Sequence, residues 1–346
     1  MTNATRTVTV VVPCRNERRY IEAFCASVQA QVLPPDWTLE LLIADGQSSD
    51  GTDEVLRRLS ISNPSIKCID NLGRIVSTGL NRALALAEGE VIVRMDVHTE
   101  YAVDYVAQCI SVLAETGADN VGGPWHAQPD ADAGPMQQAV ASAFQSRWVA
   151  GGALSRKLDH NGWVDTVYLG CWPKSTFQRF GGFDESLVRN QDDEHNLRIS
   201  LAGGRIWQSS RIRSVYRPRS SFLQVFRQYL QYGYWKPFVI RKHGQVASIR
   251  HLVPSIFVGL LGLTGLAAIG GAPAWPFQGW LLLYLGALCA LTLGVIVDRS
   301  PRLSASLMVP AVIVASHFGY GIGTFFGWWD VLVRGESRHR FAALTR

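Results

Sequence analysis

The sequence is short of charge in two stretches and of one sign of charge in a third. From Leu252 to Val297 there is no Asp, Glu, Lys or Arg, and from Leu303 to Trp329 there is again none. A water-facing surface needs charged groups, so gaps this long exclude an ordinary globular C-terminal domain and place the end of the chain in lipid. Residues 211–250 contain no acid but nine bases: Arg211, Arg213, Arg217, Arg219, Arg227, Lys236, Arg241, Lys242 and Arg250. Net charge is +5, so the remainder of the chain stands at −4. A basic belt beside an apolar segment suits anionic headgroups and the positive-inside rule. Nucleic acid also attracts basic stretches, but none is expected as a partner here, because the belt adjoins the hydrophobic segments.

Other absences narrow the class further. The six cysteines (Cys14, Cys25, Cys68, Cys109, Cys171, Cys289) include no C-x-x-C pair, which argues against a zinc site or disulfide framework and for reduced, mostly buried thiols. The opening MTNATRTVTVVVP has too short an apolar run for a signal peptide, so the soluble part is expected to stay in the cytoplasm. No internal repeat or low-complexity segment is evident.

What is present is an alternation of strands and helices. Apolar, β-branched runs predict strands at Val8–Val12 (ended by Pro13), Leu39–Ala44, Ile66–Ile69, Glu90–Arg94, Asn120–Gly123 and Thr166–Cys171. Helical spacing predicts helices at Glu17–Gln31, from Ser49 to Leu59, and at Arg74–Ala87, Tyr101–Thr116 and Asp192–Ala202. This order implies an α/β fold with a doubly wound, mostly parallel sheet. The expected organisation is a soluble domain at 1–210, membrane-surface amphipathic helices at 211–250, hydrophobic membrane segments at 251–329 and a basic tail at 330–346.

The membrane segments are 252–271, 277–297 and 304–328. The last is ambiguous. A full span places the Arg-rich tail (Arg334, Arg338, Arg340, Arg346) outside, against the charge bias, and Pro310 with Gly319, Gly321 and Gly323 weakens a straight helix. Three spans, or two spans and a re-entrant hairpin, both remain open. His317 within this stretch is either a functional ionisable group or a helix-packing hydrogen bond.

Asn16, Asp45 and Asp96 each follow the carboxyl end of a predicted strand, the edge where open α/β sheets bind ligands. One such acid is best taken as a helix cap or turn; two at successive strand ends favour a shared site.

Four segments carry a family resemblance: VVVPCRNERRYIEAFCASV at 10–28, ADGQSSDGT at 44–52, MDVH at 95–98 and GGFDESLVRNQDDEHNLR at 181–198. Together they resemble the family 2 inverting glycosyltransferases, and more narrowly the subgroup of exopolysaccharide (succinoglycan-type) assembly. Each motif is weak alone; four in order are not.

The resemblance implies a GT-A-like, nucleotide-sugar-binding fold and transfer of a hexose, glucose for the subgroup, from a UDP-sugar to a lipid-linked saccharide. It implies an enzyme of the cell membrane, multi-pass, with its catalytic domain cytoplasmic. By this likeness Asp45 accepts the uracil imide N–H, and Pro13, Arg15, Asn16 and Glu17 line the base. Asp50 is better read as a helix cap. Asp96 and His98 match a metal-binding Asp-x-Asp whose second acid is replaced. The cofactor implied is a divalent cation, Mn²⁺ or Mg²⁺; imidazole suits the softer Mn²⁺ better. For His98, a plain hydrogen bond to the donor is the alternative.

Asp192, six residues before Arg198 as in the family, is the candidate general base. The family's preceding Glu is Gln191 here, and Asp193 points about 100° away. The bland alternative is an acid cluster favoured by the helix dipole. Gln231 and Trp235 match a family signature for the acceptor side, where the indole serves as a sugar platform or as an interfacial anchor. Arg227 and Lys236 are candidates for a lipid pyrophosphate. Two rival functions remain: transfer to polyprenyl phosphate, and a catalytically silent nucleotide-binding membrane scaffold.

Overall fold

The computed structural model describes residues 5–245 and 252–335. The expectations resting on Arg250 and on the tail residues Arg338, Arg340 and Arg346 lie outside the described residues, as do the first four residues. The described chain divides into two compact units, Met1–His126 with Leu154–Tyr216, and Ala127–Ala153 with Arg217–Arg346.

The first unit is built on a mixed α/β sheet. Its strands are β1 (Arg6–Cys14), β2 (Trp37–Asp45), β3 (Ile66–Asp70), β4 (Val91–Arg94), β5 (Thr99–Tyr101), β6 (Asn120–Gly123), β7 (Gly162–Val164), β8 (Tyr168–Pro173), β9 (Ile206–Gln208) and β10 (Ser214–Tyr216). Its helices are α1 (Ile21–Gln29), α2 (Thr52–Ser62), α3 (Val76–Leu86), α4 (Tyr105–Thr116), α6 (Lys174–Phe180) and α7 (Gln191–Leu201), with α5 (Pro135–Gln145) between α4 and α6 in the chain but part of the second unit.

Eight strands pair in the order β3-β2-β1-β4-β8-β6-β9-β7, with β5 and β10 forming a separate pair. Strands β3, β2, β1 and β4 run parallel, whereas β8 is antiparallel to both β4 and β6. The chain steps outward from β1 to β3 and then crosses to place β4 on the other side of β1. That reversal opens a crevice at the carboxyl ends of β1 and β4.

Both faces of β1 are covered, which is why its sequence is almost uninterrupted Val and Thr. Val8, Val10 and Val12 enter one core cluster with Ile21, Phe24 and Val106. Val11 enters the other, with Leu80, Ile92, Trp172 and Ile199. The strand continues two residues past the predicted end. Val11 accepts a hydrogen bond from Met95 on the β4 side, so by alternation Pro13 also faces that side. Its pairing with β4 has stopped at Arg94, and no donor is required there. The helix predicted from Tyr101 begins instead at Tyr105, because Thr99–Tyr101 is taken up as β5 pairing with β10.

The basic stretch is partly neutralised by acids from distant sequence. In the first unit Arg211 pairs with Glu115 at 2.6 Å and Arg213 with Asp104 at 3.5 Å. In the second, Arg217 lies 3.7 Å from Asp130.

The second unit contains α5, α8 (Phe222–His243), α9 (Val253–Ile269), α10 (Trp275–Arg299), the short α11 (Leu303–Ser306) and α12 (Val309–Trp329). Separate amphipathic surface helices were expected around Phe222–Leu230; one 22-residue helix forms instead, begun by Ser221, whose hydroxyl accepts from Gln224 N–H, and ended by Gly244 at φ 67°. The third apolar stretch is no hairpin: after the short α11 and a turn at 307–308, one helix, α12, runs through the rest of it. Pro310 occupies its first turn, where a missing N–H is harmless.

The glycines of α12 are packing residues. A Cβ at Gly319, Gly323 or Gly327 would collide with the carbonyl oxygens of Phe226, Leu230 or Tyr234 on α8, while Gly321 faces Val258 and Pro254 of α9. Small residues at four-residue spacing let two helix backbones approach closely.

Among the described residues two helical stretches are long and apolar enough to cross a membrane, Trp275–Arg299 and Leu303–Arg334. Helix α9 has 17 residues, about 26 Å at 1.5 Å per residue and short of a full hydrocarbon core. His317 is half-buried, its ring 6.2 Å from that of Tyr284.

Gly323→Leu is expected to separate α8 from α12 and lower the melting temperature of the detergent-solubilised protein by several degrees. Gly286→Ala, where nothing lies within 4 Å of the added carbon, should leave it unchanged. Equal melting of the two variants would show that the glycine stripe does not hold the helices.

Candidate active site

The loop after β1 is tied to the loop after β2 by side chains that cap backbone groups. Asn16, in the left-handed region at φ 56°, accepts from Ser49 N–H at 2.8 Å, and its own N–H donates to the Ser48 hydroxyl at 2.7 Å. Asp45, buried at the end of β2, accepts from the Ser48 hydroxyl at 2.5 Å and from Ser48 N–H at 3.0 Å. Glu17 N–H donates to Thr52 Oγ1, and Arg15 lies over Gly46, where no Cβ intervenes.

Asp50 takes up the N–H groups of Arg18 and Thr52 and the Thr52 hydroxyl. It is therefore a loop-ordering acid just ahead of α2. Burial opposes its charge, but these hydrogen bonds prevail and hold its pKa below the ordinary carboxylate value. Pro13, Arg15, Asn16, Glu17 and Asp45 thus share one end of two adjacent strands.

Asp96 leaves the end of β4 on the other side of β1. Its backbone N–H donates to the Tyr101 hydroxyl at 2.6 Å, which fixes the turn. Both carboxylate oxygens are held by Arg94, from Nε at 3.1 Å and from Nη2 at 3.2 Å. Arg94 Nη1 lies 3.9 Å from Oδ2 of Asp192 at the start of α7. Two acids nearly a hundred residues apart therefore flank one guanidinium. Burial works against charge on Arg94, yet Asp96 and then Asp192 outweigh it and hold its pKa above the ordinary arginine value. Tyr101 and Tyr168 are pushed well above the usual phenol pKa, first by burial and then by the Asp96 charge.

His98 is turned to Glu17, with Nε2 2.7 Å from Oε2, and its ring meets Tyr20 edge-on at 4.7 Å. This contact joins the β1 loop to the β4 loop. The family resemblance implies a divalent cation at Asp96 and His98. Asp96 and His98 as arranged do not make a site for one: the carboxylate is engaged by Arg94 and the imidazole by Glu17. Among the described residues no three His, Cys, Asp or Glu side chains converge on a point.

Helix α7 is pinned by Arg198. Its Nη2 donates to buried Glu194 at 2.8 Å and to Gly182 O at 2.7 Å, and its Nη1 donates to Phe180 O at 2.6 Å. The arginine six residues after Asp192 thus fastens the Gly181–Gly182 turn to the helix and leaves Asp192 half-exposed at its start. His195 is a core residue, its ring against Phe177 and Phe183.

The acceptor-side candidates belong to the second unit. Gln231 and Trp235 are both buried within α8, and the Trp235 ring is enclosed by Tyr234 and Phe238 at 5.3 Å each. The indole has no exposed face, for a sugar or for the membrane interface. Lys236 is also buried, and Arg227 is exposed.

Two features were not predicted. Arg94 belongs to the family-like run Arg94-Met95-Asp96-Val97-His98, but was given no role in it. The second is an aromatic group of Trp125, Tyr168 and Tyr216, with centroids 6.2 and 5.2 Å from that of Trp125 and Arg156 over its ring. Its members come from separate parts of the sequence, which no local pattern joins.

A mixed sheet whose parallel strands reverse their direction of travel across the sheet between β1 and β4, with Asp45 and Asp96 at strand ends, is an α/β fold of GT-A type. Residues 9–164 match the model of the family described as glycosyl transferase family 2. The chain is 30% identical over 302 residues to the succinoglycan biosynthesis protein ExoA of Rhizobium meliloti (strain 1021), covering 87% of this chain and 90% of the relative. It is 25% identical over 68% of its length to a dolichyl N-acetyl-α-D-glucosaminyl phosphate 3-β-D-2,3-diacetamido-2,3-dideoxy-β-D-glucuronosyltransferase of Methanococcus voltae, 74% of which is covered. Among solved structures, the mannosyltransferase PcManGT of Pyrobaculum calidifontis, in complex with GDP-Man and Mn²⁺, superposes with a TM-score of 0.59 at 20% identity, over 95% of this chain and 88% of that one. The protein is a glycosyltransferase and belongs to glycosyltransferase family 2.

Arg198→Met should remove the cation held against the buried Glu194 carboxylate and the ties to Phe180 and Gly182, and destabilise the fold by about 3–5 kcal/mol, measured by denaturant unfolding. A change under about 1 kcal/mol, the range of an exposed pair, would show that the ion pair does not hold the turn.

Proposed function

We propose that the protein is a membrane-anchored enzyme of polysaccharide assembly that moves a hexose, glucose in the first instance, from a UDP-sugar to a hydroxyl of a lipid-linked saccharide. The observation that carries this is the single buried guanidinium of Arg94 against both Asp96 and Asp192, at the mouth of the β1–β4 crevice. The ExoA relative, named for succinoglycan biosynthesis, supports the polysaccharide setting. The two long apolar helices support anchoring in the cell membrane, with both crossing it and the first unit on the cytoplasmic side. The organisation into a soluble domain at 1–210, a basic segment, apolar segments and a tail belongs to the same proposal.

In this mechanism Asp45 accepts the imide N–H of uracil, and Pro13, Arg15, Asn16 and Glu17 line the base. Asp192 takes the proton of the acceptor hydroxyl as its oxygen attacks the anomeric carbon. The bond from that carbon to the diphosphate breaks on the opposite side, so configuration inverts and UDP leaves. Charge gathers on the departing diphosphate, where a divalent cation held by Asp96 would supply the counter-charge. Mn²⁺ or Mg²⁺ would require Asp96 and His98 to give up Arg94 and Glu17 first. Resemblance assigns the acceptor side to Gln231 and Trp235, both buried within α8.

Asp192→Asn is expected to lower turnover by about 10²–10⁴-fold while UDP still binds with unchanged affinity by calorimetry. Full activity in that variant would remove Asp192 from the reaction. Mass spectrometry of lipid-linked products formed with a panel of nucleotide sugars identifies the donor; absence of any glycosylated product would count against the whole proposal.

A further inference from the structure

Arg94 has more to give than its contacts with Asp96 use. The side chain is 7% exposed, and three of its nitrogens point in fixed directions because a guanidinium is planar. Nε and Nη2 grip the two oxygens of Asp96. Nη1 is buried, makes no hydrogen bond, and points to Asp192 Oδ2 at a distance too long for one. Gln191 Oε1, one residue before Asp192 in the chain, is also buried and without a hydrogen-bond partner. A buried, charged N–H left unanswered is costly, so its persistence beside the candidate base calls for a role.

Asp192 has the opposite problem. Its side chain is 46% exposed, and one oxygen accepts from the N–H of Asp193 at 2.9 Å. Nothing in that arrangement directs the second oxygen, Oδ2, toward an acceptor. A general base needs its accepting oxygen within hydrogen-bond reach of the proton it takes.

We propose that Arg94 is the positioning residue of the transfer reaction: anchored on Asp96, it closes Nη1 onto Asp192 and sets the angle of the base carboxylate toward the incoming hydroxyl. The inference rests on the glycosyl-transfer reading above. Arginine is required because the task needs a fork on one acid and a third N–H on another. A lysine ammonium is a point charge and cannot hold Asp96 by two bonds while reaching Asp192. The tether acts on orientation and not on donor affinity, so its loss falls on kcat.

The test uses full-length protein in detergent, UDP release from UDP-hexose in the presence of the lipid-linked acceptor, and UDP binding by calorimetry. Arg94→Ala is expected to lose about 10²-fold in kcat, the scale of a misplaced reacting group, with KM for the donor and UDP affinity unchanged. Millimolar guanidinium should recover part of that loss, and Arg94→Lys should not. In an Asp192→Asn background, Arg94→Ala should cost nothing further, because the group it orients is gone. Arg94→Met, which keeps the buried volume, serves if the alanine variant unfolds. Unaltered kcat in a folded Arg94 variant, or a loss that appears in UDP affinity instead, overturns the positioning role. Failure of the wild-type protein to turn over any nucleotide sugar overturns the glycosyl-transfer reading itself, and this inference with it.

Discussion

Strand β1 lies between β2 and β4, all three running the same way, and the chemistry depends on where they stop. Parallel pairing brings carboxyl ends to one edge, so the residue after each strand enters a common space. Cys14 is opposite Asp45, and Val11 is opposite Arg94. That register places the Asn16–Glu17 loop between Asp45 on one side and Asp96 on the other. The buried Val and Thr of β1 make the register costly to shift, since a one-residue slip would exchange the faces of every side chain.

Around this edge the polar groups restrain one another. Asn16, Asp45 and Asp50 spend their side chains on backbone N–H groups of the two loops, and His98 meets Glu17 across the gap. Arg198 holds the turn ahead of α7 to the helix itself, so Asp192 starts from a fixed base even though its carboxylate is half-exposed. Arg94 is the one cation buried among the acids at this edge, and its burial makes it directional as well as attractive.

The second unit follows a different rule. Its helices are joined by the absence of side chains, with glycines on α12 lying against carbonyl oxygens of α8. Where the surroundings are as apolar as the side chains, close backbone contact and dispersion replace the hydrophobic effect as the source of association. The glycines that weaken an isolated helix are the ones that allow this pair to form.

The parallel half of the sheet was legible because a strand covered on both faces reads as an apolar run, and strand ends followed by Asp45 and Asp96 read as ligand edges. The four motifs pointed to the family for the same reason: each is a short loop or helix start whose residues are neighbours in sequence. Two prolines and a glycine run misled, because Pro13 and Pro310 sit where no donor is needed and Gly319, Gly323 and Gly327 sit against another helix. Trp235 carries the same lesson, since its matching position says nothing about what encloses it. By itself the sequence determined the order of strands and helices along the chain, the acids that follow strand ends and the apolar character of the C-terminal segments, all of which depend on local periodicity and composition. Only the tertiary structure decided that Arg94 stands between Asp96 and Asp192, that His98 turns to Glu17, and that Arg211, Arg213 and Arg217 find acids far away, because each is a meeting of charges with no trace along the chain.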